Sequence, residues 1–303
     1  MINRYAEWLF WAGRYMERAE NHSRLIDANY HMRHELKGND NDRDYIWEKL
    51  VAAVGDLAKF KEDNAIANEW TVLHFLTFER TNSNSIYSII QQTRNNIRAL
   101  RQLLPKELWE ITNSLYLWLH DQDINKMMQQ SPSKFYQRVR EWISLFNGAA
   151  DSTMLREQEW NFLQAGKYLE RTENTVRILQ TVHTNLIRDP ASSQDQNHYN
   201  RMIVLLKSVG GYEAFRKLHA DHVTFAKVTE FLILNPHFPR SIPFAFTSLE
   251  SYLKAIKQEG FDYAVLPDPG LGVSDSLHEW LQCCNQLGFL ISKAFFQANV
   301  VGA

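Results

Sequence analysis

Apolar residues recur along most of this chain at intervals of three and four positions rather than at every second position. This spacing is typical of amphipathic α-helices, whereas half-buried strands alternate. The pattern predicts helices over residues 3–35, 45–57, 65–78, 85–103, 106–119 and 133–146, and then over 155–187, 196–209, 221–234, 242–259 and 276–298. We therefore predict an all-α protein.

Polar segments separate the predicted helices, among them "KGNDNDRD", "DQDINKMMQQSPS" and "RDPASSQDQNH". Glycine and proline are scarce, with 12 and 8 residues in 303. Residues 260–276 hold three of the glycines and two of the prolines, so this stretch is predicted to be a surface loop.

One predicted helical segment occurs twice in the sequence. The segment "AGRYMERAENHSRL" at 12–25 returns 153 positions later as "AGKYLERTENTVRI" at 165–178. Shorter matches follow in the same order: "VG" at 54 and 209, "FL" at 75 and 231, and "SI" at 85 and 241. We interpret residues 1–150 and 151–303 as divergent copies of one helical unit, which pack as a single bundle and a single domain with pseudo-two-fold symmetry.

The repeated helix carries its charged residues on one side and its apolar residues on the other. Across the two copies the charged residues are kept more faithfully than the apolar ones, which indicates a geometric constraint of the kind that buried, hydrogen-bonded side chains experience. The candidate network comprises Arg14, Glu17, Arg18, Glu20, Asn21 and Arg24 in the first copy and Glu170, Arg171, Glu173, Asn174 and Arg177 in the second.

We predict that the two motif helices meet and that each arginine fork binds a carboxylate of the same or the opposite helix. Gly13 and Gly166 lie on the same stripe, which predicts a close approach of another backbone or a bulky side chain. Two alternatives stay open. The stripe is a solvated face with weak ion pairs, or it lines a cleft in which its arginines hold a carboxylate or phosphate.

Two loops are a second candidate anion site. Arg80 with Asn84, and Arg240 with Ser241, each precede a predicted helix, where the positive helix end and an arginine suit an anion. The alternative is that Ser241, and Ser83 or Asn84, only cap the exposed N–H groups of these helices.

The charge, the apolar runs and the motifs of the chain limit the classes of function that we expect. The formal net charge of −2 gives no general attraction to nucleic acid, and no apolar run approaches the length of about 20 residues that a membrane-spanning helix needs. The two cysteines are adjacent, and the N-terminus lacks the apolar core of a signal peptide, so we expect a protein of the reducing cytoplasm. Glu-x-x-His pairs and nucleotide-binding loops are missing from the sequence, so neither a metal site nor a cofactor is predicted.

Several segments together resemble the bacterial Alpha-E family: "LFWAGRYMERAENHSRLID", "ERTNSNSIYSIIQQTRNNIRALRQLLPKELWEITN", "TMLREQEWNFLQAGKYLERTENTVRIL" and "FLILNPHFPRSIPFAF". The resemblance covers nearly the whole chain and implies a helical domain with a Glu-Arg motif. Genes of this family tend to lie beside those of a circularly permuted ATP-grasp ligase and a transglutaminase-like protein. The resemblance therefore implies an accessory or interaction protein in peptide synthesis or protein modification, and it implies no catalytic residue.

Two other functions stay open at this point. The chain is an enzyme or ligand-binding protein that uses the Glu and Arg side chains as an anion-binding cleft, or it is a scaffold that acts as a homo-oligomer. The sequence does not decide whether a reaction takes place on this protein.

Overall fold

The computed structural model describes residues 3–35, 40–54, 57–188, 196–220, 222–256 and 273–296. These residues form helices and short connections without a strand, which confirms the all-α class. None of the described helices is both long and apolar enough to cross a bilayer. The helices are α1 Asn3–Glu35, α2 Asp40–Val54, α3 Leu57–Asp63, α4 Glu69–Thr77, α5 Ile86–Ala99, α6 Lys106–His120, α7 Ile124–Gln130, α8 Pro132–Thr153, α9 Gln158–Arg188, α10 Gln196–Ser208, α11 Tyr212–His219, α12 Phe225–Leu234, α13 Ile242–Ala255 and α14 Val273–Ile291, which ends in the π-helical turn Ser292–Phe296.

Three short helices were not predicted from the sequence: α3, α7 and α11, of seven or eight residues each. Helix α7 lies inside a segment that we predicted to be a polar break. Asp123 caps its first turn, and Ile124 and Met127 bury one apolar side, so a helix of about two turns is enough to pack. Helix α14 begins at Val273, inside the loop predicted over 260–276, and the rest of that loop lies outside the described residues.

Helices α1 and α9 form the centre of the fold. They are the longest, with 33 and 31 residues, and they pack against each other along much of their length. Helix α5 covers α1 with a side that includes Ile86 and Ile90, and α13 covers α9 with a side that includes Ile242 and Leu249. The charged stripe of each central helix is thereby enclosed by other helices.

The four helices that follow α1 resemble in length the four helices that follow α9. After α1 come helices of 15, 7, 9 and 14 residues, and after α9 come helices of 13, 8, 10 and 14 residues. The last helix of each series, α5 or α13, begins after a serine whose hydroxyl accepts a backbone N–H, Ser85 or Ser241.

The two central helices run in the same direction and touch at two glycines. The contacts advance in the same direction along both helices, because Gly13 lies beside Leu163 and, further along both of them, Glu17 binds Arg171, so the helices are parallel. A Cβ atom on Gly13 would lie 2.0 Å from the carbonyl oxygen of Leu163, and one on Gly166 would lie 2.0 Å from that of Phe10. The predicted close approach at these glycines is thus confirmed, and it is made by backbone.

We expect Gly13→Ala to destabilise the protein severely, because the added methyl group meets a backbone carbonyl that can move only if the central helices separate. Overpacking of this kind costs about 1–3 kcal/mol or more of the free energy of unfolding. Urea unfolding followed by circular dichroism measures the change. The matched control is Gly148→Ala in α8, where a Cβ would meet nothing within 4 Å. This control should stabilise the helix by up to about 1 kcal/mol, and equal effects at both glycines would contradict the close crossing.

Candidate functional site

The first half of the site is a glutamate held by two arginines. Glu17 on α1 is fully buried, and Arg171 on α9 donates from Nε and Nη2 to its two carboxylate oxygens at 2.9 and 2.7 Å. Arg240, from the loop before α13, donates from Nη1 to Oε1 at 2.6 Å. A bidentate arginine and a second arginine together replace the water that this carboxylate loses on burial.

The second half is the reciprocal arrangement. Glu170 on α9 accepts from Nε and Nη2 of Arg18 on α1 at 2.6 and 3.0 Å, and from Nε of Arg14 at 2.6 Å. Each central helix therefore supplies a glutamate to the arginine of the other. The two Glu-Arg dipeptides at 17–18 and 170–171 are exchanged across the crossing.

A second pair of glutamates lies one turn further along. Glu20 accepts from Nη2 of Arg24 and forms an ion pair with Nη2 of Arg240, both at 2.8 Å, and Glu173 accepts from Nη2 of Arg14 at 2.6 Å and from Arg177. We use the name Glu–Arg clamp for the four glutamates and the four arginines that cross between elements: Arg14, Glu17, Arg18, Glu20, Glu170, Arg171, Glu173 and Arg240. Arg24 and Arg177 pair along their own helices, and their side chains are 30% and 42% exposed, so they form its rim.

Two of the three candidate asparagines belong to this network. Oδ1 of Asn21 accepts from Arg240, and Oδ1 of Asn84 accepts from Nη1 of Arg18 at 3.1 Å. Asn174 is half-buried on the same side of α9, but no side-chain hydrogen bond joins it to the described residues. The structure thus connects the loops before α5 and α13 to the clamp, and it leaves Asn174 out.

The loop residues that were predicted to form a second anion site have three different roles in the structure. Arg240 is buried and binds Glu17 and Glu20, so its anion is supplied by the protein itself. Ser241 caps α13, and the cap of α5 is Ser85 rather than Ser83 or Asn84. Arg80 is exposed and lies over the ring of Tyr87, away from the clamp.

Lys167 was not singled out from the sequence as a site residue. It occupies the position on α9 that Arg14 occupies on α1, yet its Nζ donates to Oδ1 of Asn147 on α8 at 3.2 Å rather than to a carboxylate. Burial and the positive charge of Arg171 lower the pKa of Lys167, Glu17 opposes both, and the resulting pKa is about 8. A comparison of the two motif copies could have found this residue, because Lys replaces Arg at an otherwise charged, retained position.

In the clamp, the charges of the glutamates and the arginines compensate each other. Burial alone would raise the pKa of Glu17 and Glu170, but the arginines beside them lower both pKa values to about 2. Their glutamate partners raise the pKa of Arg18 and Arg171. Because the folded-state pKa of each glutamate is below its usual value of 4.5, its contribution to stability is present above that pH and is lost as the pH falls toward 2.

These properties limit what the clamp can do chemically. The arginines hold the pKa values of Glu17, Glu20 and Glu170 below the usual value, so none of these three carboxylates is available as a proton donor near neutral pH. Within the described segments, no group of three or more His, Cys, Asp or Glu side chains is placed to share a metal ion. The arrangement is suited to holding α1, α9 and two loops in one relative position.

Fold and site together define an all-helical domain built around a buried exchange of Glu-Arg pairs. The chain belongs to the Alpha-E family, described as a predicted alpha-helical domain with a conserved ER motif, whose model matches residues 1–265. No solved structure gives a significant match.

The chain is also similar to uncharacterised mycobacterial proteins. It is 25% identical over 264 residues to a protein of Mycobacterium bovis, and 25% and 24% identical to proteins of two strains of Mycobacterium tuberculosis. Each match covers 81% of this chain but 29% of the relative. The chain therefore spans less than a third of the length of these curated relatives.

We expect Arg171→Met to reduce the free energy of unfolding by about 3–5 kcal/mol, because it leaves Glu17 buried with one arginine fewer. Glu17→Leu combined with Arg171→Met should cost clearly less than the sum of the two single changes. A double-mutant cycle in urea measures this coupling. In the control cycle at the exposed pair Arg138 and Glu141 the coupling should stay below about 1 kcal/mol, and a coupling as small at Glu17 and Arg171 would contradict the clamp.

We expect Lys167→Met to stabilise the protein at pH 7. The folded-state pKa of about 8 is below the usual 10.5, so the fold disfavours the charged lysine by something of the order of 1–3 kcal/mol at neutral pH. The penalty is complete below pH 8 and disappears as the pH rises to 10.5, so the advantage of the variant should shrink over that interval. Thermal unfolding from pH 7 to 10.5 measures it, with the exposed Lys134→Met as the control. A destabilised variant without pH dependence would refute the assignment.

Proposed function

We propose that this chain is a non-catalytic accessory protein that works with an ATP-grasp ligase, a transglutaminase-like protein or both, in peptide synthesis or protein modification. The observation that carries the proposal is that every carboxylate of the clamp is buried and bonded to arginine. The charged motif is thus occupied in holding the fold together. Residues that serve a partner or a ligand must then lie elsewhere, on the outer helices.

The lengths of the relatives support this role. In the mycobacterial proteins the matched region accounts for 29% of the chain, so it is accompanied there by a much longer polypeptide. A domain that is accompanied by further polypeptide in its relatives is suited to association with other proteins. The nature of the partners comes from the gene neighbourhood that the family resemblance implies.

We also propose that residues 1–150 and 151–303 are divergent copies that pack as one domain with pseudo-two-fold symmetry. Two observations support this: the matched series of helix lengths after α1 and α9, and the reciprocal pairs of Arg171 with Glu17 and of Arg18 with Glu170. A reducing, cytoplasmic location is part of the same proposal and is supported by the two cysteines, which are adjacent in the sequence, a spacing that very rarely closes into a disulfide.

Affinity purification tests the accessory role. We expect the tagged protein to retain the ATP-grasp ligase or the transglutaminase-like protein encoded beside its own gene when they are produced together. The control is Gly148→Ala, where the added methyl group meets nothing within 4 Å, and it should retain the same partner. A wild-type protein that binds neither neighbour, and that only self-associates in analytical ultracentrifugation, would reject the proposal in favour of a homo-oligomeric scaffold.

A second candidate function is binding of a small anion at the rim of the clamp. It is favoured by a surplus of positive charge, because Arg24, Arg177 and Lys167 add to the four arginines that already balance the four glutamates. In addition, Nδ2 of Asn21 and Nε of Arg177 are buried donors without an acceptor among the described residues. An anion at the rim would supply the missing acceptors and the missing charge.

Thermal unfolding in inorganic phosphate tests this second function. If the rim binds anions, phosphate at a constant ionic strength should raise the Tm of the wild type, and Arg24→Gln with Arg177→Gln should abolish the increase. The exposed control pair Arg138→Gln with Arg156→Gln should leave it intact. An equal increase in Tm for all three proteins would show a general salt effect and would exclude the rim as a site.

A further inference from the structure

A group of arginines outside the clamp forms no ion pair with a carboxylate of the described residues. Between residues 80 and 106 the chain contains no Asp or Glu but has Arg80, Arg94, Arg98 and Arg101. Arg94 and Arg98 are one turn apart on the same side of α5, and Arg101 follows in the turn after the helix. Within the part of the chain that the structure describes, none of the four forms an ion pair with a carboxylate.

Aromatic side chains hold two of these arginines in place. The guanidinium of Arg94 lies 4.6 Å from the ring centre of Tyr116 and 5.4 Å from that of Trp109, and its Nε donates to Oδ1 of Asn113 at 2.9 Å. All three partners are on α6, at intervals of three and four residues along one side. Arg94 is therefore fixed against α6 by rings and a neutral amide.

The same contacts continue toward the start of α5. Arg80 lies 4.9 Å from the ring centre of Tyr87, whose hydroxyl is 3.0 Å from Nδ1 of His120 and 3.3 Å from the hydroxyl of Tyr116. Guanidinium groups and rings thus alternate along the line where α5 meets α6. We use the name α5–α6 seam for Arg80, Tyr87, Arg94, Arg98, Arg101, Trp109, Tyr116 and His120.

This surface differs from the clamp in what its arginines can still bind. Cation–π contacts fix the plane of a guanidinium but leave N–H donors unused, and they do not cancel its charge. Arg80, Arg98, Arg101 and His120 are exposed, and Arg94 is half-buried. Arginine, tyrosine and tryptophan are the residue types that carry most of the binding energy in protein interfaces.

We propose that the α5–α6 seam is a docking surface for an acidic, extended segment of a partner protein. Arginine forks match carboxylates in shape and charge, and here they are held in position before binding. Arg94 and Arg98 are four residues apart, or about 6 Å along the helix axis. Every second residue of an extended chain is about 6.6 Å apart, so a carboxylate at alternate positions would meet successive arginines.

Nucleic acid fits this surface less well. Single-stranded nucleic acid needs free ring faces on which bases stack, but a guanidinium already covers one face of Tyr87, of Tyr116 and of Trp109. Tyr87 is buried, and Tyr116 and Trp109 are half-buried. The positive charge is also local, since the whole chain has a formal net charge of −2. Charge complementarity therefore favours a polypeptide carboxylate.

Fluorescence anisotropy with a labelled peptide of five Glu-Gly repeats tests the seam. We expect the wild type to bind the peptide and Arg94→Gln with Arg98→Gln to weaken the affinity about tenfold, which corresponds to about 1.4 kcal/mol. The matched control is Arg138→Gln with Arg156→Gln, which removes the same charge from two exposed arginines that pair with Glu141 and Asp151. The affinity of this control should stay within about twofold of the wild type.

A second variant guards against a folding defect. Arg98→Gln with Arg101→Gln changes only exposed side chains, so it should fold and still lose affinity. The seam is refuted if the peptide does not bind, or if seam and control variants lose affinity equally. It is also refuted if a ten-nucleotide oligothymidylate binds more tightly than the peptide and is weakened by the same variants.

The inference rests on the proposed accessory function only for the origin of the acidic segment. If the peptide binds as expected but no neighbouring gene product co-purifies, the accessory function fails and the seam stands. If a neighbouring gene product co-purifies equally with the wild type and the seam variants while the peptide does not bind, the seam fails and the accessory function stands.

Discussion

Two carboxylates buried between parallel helices have to stay ionised, and the rest of the fold is arranged to stabilise their charges. Glu17 and Glu170 lose their water on folding, which by itself would favour protonation. Each instead receives a bidentate arginine from the opposite helix and a further arginine. A buried ion pair contributes stability only when its hydrogen bonds are satisfied in this way, and a missing partner leaves a charge in a medium that cannot solvate it. The clamp therefore fixes both central helices at once.

The glycine crossing and the clamp depend on each other. Gly13 and Gly166 let the two backbones touch, and one turn further along the arginines are then close enough to reach the opposite helix. The clamp also sets the position of the outer helices. Arg18 binds Asn84 in the loop just before α5, and Arg240, in the loop just before α13, binds Glu17.

Periodicity was enough to predict the class and the long helices, since α1 and α9 each have many turns of consistent pattern. It missed α3, α7 and α11, which have only seven or eight residues and bury one or two side chains each, too few for a periodic pattern. The exchange of Glu-Arg pairs could be inferred because the chain contains both copies of the motif. The role of Arg240 could not be inferred, since its partner Glu17 is 223 residues away in the sequence. The local sequence indicates only that an anion suits the start of α13. The same holds for Lys167, whose partner Asn147 lies on a different helix.

Direct titration of the central carboxylates tests whether reciprocal ion pairs hold the two central helices together. The side-chain carboxyl carbons of Glu17 and Glu170 can be followed by ¹³C NMR as the pH is lowered, with Glu→Gln variants used to assign them. The clamp predicts that both carboxylates titrate near pH 2. Midpoints near the usual value of 4.5 would show carboxylates in contact with water and central helices that are not held by reciprocal ion pairs.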